Sequence, residues 1–166
     1  CKEGSSGPLC FVTVRHITSV DGTVCIDEEQ DIVYRDDPDP NAPAREPKPA
    51  ATEADVSRTI VPDPTLLFRY SAVTFNGHRI HYDRDYATSV EGYDGLVFHG
   101  PLTATLLADL ATENGEALAT FSFRGVSPLL DTAPFTIHRR ANDTGADLWA
   151  TNPTGGLAMT AEATYR

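Results

Sequence analysis

Basic side chains are scarce: Lys plus Arg number 13 against 24 Asp plus Glu, a formal net charge of −11 over 166 residues. Such a surface is not attracted to nucleic acid or anionic membranes, so any anionic ligand must be held by local features. No run of about 18 apolar residues occurs, which excludes a helical membrane span. Residues 1–30 lack the succession of basic, apolar and small residues that directs secretion, and the expectation is a cytoplasmic protein. Cysteine is sparse too. Cys1, Cys10 and Cys25 are odd in number and form no CxxC pair, which predicts neither a disulfide framework nor a thiolate zinc site. They read as small apolar residues, Cys10 and Cys25 within strands.

What is present fits one domain or slightly more. Residues 9–16, Leu-Cys-Phe-Val-Thr-Val-Arg-His, predict a strand, and 23–34 predict a second, with Val24, Ile26, Ile32 and Tyr34 on one parity; Asp21-Gly22 turns between them. A two-stranded hairpin cannot bury its own apolar face and must lean on something else. From 36 to 58 the composition changes to proline, alanine and acids, with prolines at 38, 40, 43, 47 and 49, which predicts an extended, poorly ordered linker. Beyond it, Ile60-Val61 closes a short strand. Asp63-Pro64 opens a helix expected to stop near Asn76-Gly77. Gly100-Pro101 opens a second helix, whose Leu102, Leu106, Leu107 and Leu110, with alanines between, form a stripe broad enough to be wrapped on most sides; Asn114-Gly115 ends it. Strands follow over 117–125, 135–141, 147–151 and 157–165. The class is α+β, one antiparallel sheet curling round one helix.

Polar and ionisable residues crowd between the two helices: Asn76, His78, Arg79, His81, Tyr82, Asp83, Arg84, Asp85 and Tyr86, then His99 at the entry to the apolar helix. Three readings compete. His78-x-x-His81-x-Asp83 with His99 supplies metal-ligand types, but at no established zinc spacing and beside arginines that oppose a bound dication. A structural reading makes the histidines hydrogen-bonded supports and the arginines a solvated face. It suits His78, Arg84 and Asp85 singly better than it suits Asn76 and His81 together. An acid–base reading uses an imidazole near its ordinary pKa of about 6.5 to carry a proton, an amide to orient water, and the unpaired N–H groups at the start of the Gly100 helix to hold a developing enolate. Water, base and oxyanion site are the needs of water addition to an activated double bond.

The stretch Phe75-Asn76-Gly77-His78-Arg79-Ile80-His81-Tyr82-Asp83, then Tyr86-Ala87 and Val97-Phe98-His99-Gly100-Pro101-Leu102, resembles the hydratase motif of MaoC-like hot-dog proteins. The run from Leu67-Phe68-Arg69-Tyr70-Ser71-Ala72 to Pro101 is most similar to the mesaconyl-CoA hydratase and type 2 3-hydroxyacyl-thioester dehydratase branch. The resemblance implies a hot-dog fold over 59–166. It also implies that 1–35 is the terminal hairpin of a partial preceding hot-dog unit, with 36–58 as the linker between them.

It implies as well a hydro-lyase acting across the 2,3 bond of a short-chain acyl thioester of CoA or acyl carrier protein, perhaps with a five-carbon dicarboxylic acyl group. No cofactor or metal is implied, CoA entering only as part of the substrate. The motif's histidine falls on His81. The aspartate of the wider pattern falls on Asn76, which leaves His81 as proton carrier and Asn76 as water holder. Gly100 N–H meets the thioester carbonyl, and Arg69, Arg79 and His99 are the candidates for further substrate contact, the arginines toward a second carboxylate. The expected partner is a second copy or the missing N-terminal hot-dog half. A non-catalytic acyl-thioester-binding or dimer-completing subunit, and an acyl-CoA thioesterase, are the alternatives on the same fold.

Overall fold

The computed structural model describes residues 2–4, 7–35 and 46–166. Contacts divide the chain into two units, Cys1–Arg45 and Glu46–Arg166. Cys1 and the first ten residues of the expected linker lie outside the described residues. Among the described residues no helix is long and apolar enough to cross a membrane.

In the first unit β1 (Lys2–Gly4), β2 (Gly7–Val20) and β3 (Thr23–Arg35) form an antiparallel sheet in chain order. The β2–β3 turn is Asp21-Gly22, both at positive φ (49° and 80°), the pairing whose twist matches that of two antiparallel strands. Both strands run longer than the sequence predicts, because cross-strand pairs continue to the turn: Arg15 donates to both carboxylate oxygens of Asp27 and Thr13 to Asp31. The apolar side chains Phe11, Val12, Ile17, Val20, Val24, Ile26, Val33 and Tyr34 are all exposed within this unit. Cys10 and Cys25 lie within β2 and β3, as expected, Cys10 half-buried and Cys25 exposed.

The second unit begins earlier than composition suggests. Residues 46–58 are not a free crossing: Lys48 O accepts from Leu157 N–H, Pro49 bridges Gly156, and Asp55 N–H donates to Arg139 O. This segment leads into β4 (Val56–Ile60), which pairs with β6 (Phe135–Asn142). The helix α1 (Pro64–Val73) is capped by Asp63, whose carboxylate accepts from Thr65 N–H. After it come a single 3-10 turn (Arg79–His81), the short helix α2 (Arg84–Ser89) and the long helix α3 (Gly100–Ala111).

With β5 (Leu118–Gly125), β7 (Gly145–Thr151) and β8 (Leu157–Tyr165), the sheet has the order β4-β6-β7-β8-β5, every pair antiparallel. The strand that follows α3 in sequence therefore crosses to the far edge beside β8. The core is α3 on the sheet. Leu107, Leu110 and Ala111 are buried on Phe135, Ile137 and Leu148, and the alanines 146, 150, 161 and 163 keep that face low enough for the helix to approach. This is the hot-dog arrangement.

Candidate active site

The helix α1 stops two residues before the expected Asn-Gly. Phe75, 96 % exposed and at φ 54°, takes the left-handed position. Asn76 N–H donates to Ser71 O (2.9 Å) and Phe75 N–H to Ala72 O (3.4 Å), the bond pair of a Schellman stop. The helix ending thus fixes where Asn76 lies. Its side-chain oxygen accepts from His78 N–H at 3.0 Å, leaving the amide nitrogen as the free donor end.

The loop then closes: Tyr82 Oη donates to Gly77 O, and the 3-10 turn presents His81 inward, 8 % exposed. His81 Nδ1 lies 2.7 Å from Val97 O. A carbonyl only accepts, so Nδ1 carries the proton and Nε2 the lone pair. Desolvation lowers the His81 pKa most, the Val97 carbonyl works against it, and neighbouring His78 lowers it further. The ring is a free base at neutral pH.

Val97 also donates its N–H to Ile80 O, so one residue ties the 3-10 turn to the segment that enters α3. His99, the N-cap of α3, offers no side-chain cap. Among the described residues none accepts from Gly100 N–H, and Gly100 is one of the residues lining a groove of about 310 Å³, with Val97, Phe98, Thr103, Val126 and Met159 among the others. Asn76 and His81 do not line it.

The remaining candidates separate. His99 is 0 % exposed, its ring stacked on His81 (centroids 3.7 Å apart, planes at 17°) with Nε2 2.9 Å from Ser71 Oγ. Full burial leaves no part of the ring exposed to a groove in this chain. Arg79 donates to Asp83 Oδ2 (2.6 and 3.0 Å) and lies over the Tyr86 ring, so its guanidinium is already paired. Arg69 sits on the exposed side of α1 and makes no hydrogen bond to the site. Asp83 caps α2 through Tyr86 N–H while holding Arg79, which takes it out of the His78–His81–Asp83 ligand set; among the described residues no three His, Cys, Asp or Glu side chains are grouped to hold a metal. Sequence reasoning missed Ser71 and the Val97 carbonyl. Nothing in a sequence marks a backbone acceptor, and Ser71 reads as a filler in the α1 pattern.

A model of the family described as hydroxyacyl-thioester dehydratase type 2 matches residues 3–131. The chain is 51 % identical over 164 residues to mesaconyl-C(4)-CoA hydratase of Chloroflexus aurantiacus, covering 96 % of this chain and 58 % of that protein. It is 36 % identical over 85 residues to the mitochondrial hydroxyacyl-thioester dehydratase type 2 of Schizosaccharomyces pombe, covering 49 % of this chain and 28 % of the relative. The chain thus spans less than two thirds of the curated relatives it matches. Among solved structures, HtdX of Mycobacterium tuberculosis superposes with a TM-score of 0.70 at 23 % identity, covering 99 % of this chain and 63 % of that one. The (R)-hydratase of A. caviae superposes with a TM-score of 0.57 at 18 % identity, covering 70 % and 97 %. Family model, sequence and superposition agree: this chain belongs to the hydroxyacyl-thioester dehydratase type 2 family of MaoC-like hot-dog proteins.

Proposed function

We propose that the protein is a hydro-lyase that adds water to, or removes it from, the 2,3 bond of a short-chain enoyl or 3-hydroxyacyl thioester, of the mesaconyl-CoA type. One observation carries the reading: the Val97 carbonyl fixes the proton of His81 on Nδ1, so that Nε2 is the free base, in a ring stacked on His99, the N-cap of α3. In hydration, Nε2 takes a proton from a water held by the Asn76 amide as the water oxygen bonds to C3. The electron pair moves through C2 onto the thioester oxygen, where Gly100 N–H meets it, and C2 then takes the proton back from Nε2. Every proton that His81 removes is returned, and neither a metal nor a redox cofactor enters. The apolar groove beside Gly100 suits the acyl end.

Pairing with a second hot-dog unit, from another copy or from a preceding half, and residence in the cytoplasm belong to the same proposal. The apolar side chains left exposed on the Cys1–Arg45 unit support the pairing.

The test is a hydration assay on mesaconyl-CoA and crotonyl-CoA. His81→Ala is expected to lose about 10²–10⁴-fold in kcat. Equal turnover by the variant removes His81 from the mechanism. Binding of acyl-CoA without turnover makes the chain a binding subunit, and release of free CoA thiol makes it a thioesterase.

A further inference from the structure

Beside the proposed base lies a ring that the mechanism leaves unused. His99 is wholly buried and parallel to His81, and three neighbours hold it: His81 on one face, the Tyr70 ring edge-on at 4.8 Å, and Ser71 Oγ 2.9 Å from Nε2. Its Nδ1 is buried and has no partner among the described residues. A buried N–H without an acceptor costs more than a lone pair in the same place, so the proton of neutral His99 sits on Nε2 and Ser71 Oγ accepts it. That bond fixes the plane of His99, and the stack transmits the plane to His81. Ser71 also reaches the other half of the proposed site, because its carbonyl accepts the Asn76 N–H. One helical serine therefore anchors both the ring behind the base and the backbone of the water holder.

We propose that Ser71 and His99 are positioning residues: Ser71 locks the His99 ring, and the face of His99 holds His81 in one orientation and keeps water from its back. The inference rests on the reading of His81 as the base, but its spectroscopic arm does not. Burial pushes His99 down to about 4, with repulsion from His81 adding to it, so the back ring stays neutral while the front ring cycles through its charged form. The other titratable groups facing the stack are His78, edge-on to His81 at 5.7 Å, and Tyr70 from α1. Arg79 and Asp83 neutralise each other, and the first turn of α3, Gly100-Pro101-Leu102-Thr103, brings no ionisable side chain.

The experiment uses the full chain and the variants Ser71→Ala and His99→Ala, with folding checked by circular dichroism. The His81 imidazole is titrated by NMR, and kcat and KM are measured on crotonyl-CoA. Ser71→Ala is expected to raise the His81 pKa toward the ordinary histidine value and to lower kcat about tenfold with KM nearly unchanged; His99→Ala shifts both further in the same direction. His99→Phe, which restores an aromatic face, recovers part of the titration shift. A folded Ser71→Ala protein whose His81 titrates as in the native chain, with kcat within about twofold, overturns the proposal. Should His99→Ala fail to fold, Ser71→Ala decides alone. A native chain that hydrates no thioester sinks the assigned function, and the titration still decides the positioning.

Discussion

The strands of the Cys1–Arg45 unit and those of the Glu46–Arg166 unit are built from similar residues and end differently. Ile17 in β2 is 56 % exposed within its unit, whereas Ile137 in β6 is 0 % exposed beneath α3. The first unit has three strands and no helix among its described residues; the second has a helix to fold its sheet around. Alternation of apolar and polar residues makes a strand in both. Only a second layer makes a core.

The sharpest test of that contrast compares two glycines. A Cβ at Gly145 would lie 2.0 Å from Ala163 O and 2.9 Å from Thr164 Cα, both backbone atoms, whereas at Gly22 it would meet nothing and only the positive φ resists it. Gly145→Ala is expected to cost roughly 4 kcal/mol and Gly22→Ala about 1 kcal/mol. Denaturant melts followed by the fluorescence of Trp149, the one tryptophan, report the first; amide exchange across the hairpin reports the second. Similar losses at the two sites would break the comparison.

Truncation in the two layers should differ nearly as much. Leu107→Ala is expected to destabilise the second unit by about 3 kcal/mol, and Ile17→Ala to change hairpin protection by less than about 0.5 kcal/mol. A larger loss at Ile17 in the native assembly would show that the hairpin's apolar face is covered there.

The smallest effect is in acid. Burial lowers the pKa of His81, His99 and His138, all in the second unit. The unfolded chain, titrating near about 6.5, then binds more protons than the folded one, so stability falls as pH drops through about 6.5 and levels off below about 4. In the hairpin the hydrogen bond from Arg15 lowers the pKa of Asp27, whose contribution is lost only below the ordinary carboxylate range. The Trp149 transition should therefore weaken between pH 6.5 and 5 while hairpin exchange, corrected for its intrinsic pH dependence, does not.

Much of this architecture was legible beforehand. The helix stripe from Leu102 to Leu110 and the Asp63-Pro64 start appear where the pattern puts them. The α2 helix did not, because with only Ala87 buried it has no apolar period, and its one signal is Asp83 accepting from Tyr86 N–H. The helix α1 ends at Val73, short of the expected Asn76-Gly77, because the left-handed residue is Phe75, which has no local preference for that conformation. Of the residues in the proposed mechanism, Asn76, His81 and Gly100 are picked out in the sequence by their chemistry and by the family resemblance. Ser71 and the Val97 carbonyl did not, since their roles depend on what folds against them.

The amino-acid order alone determined the elements and the chemistry on offer: alternation and helical period are local, and imidazole, amide and a glycine-led helix start carry their reactivity wherever they fall. Which nitrogen of His81 holds the proton, which ring lies behind it, and which arginine is already paired were decided by segments far apart in the chain meeting around α3, because a hydrogen bond or a stacked ring exists only between groups that packing has brought within a few ångströms of one another.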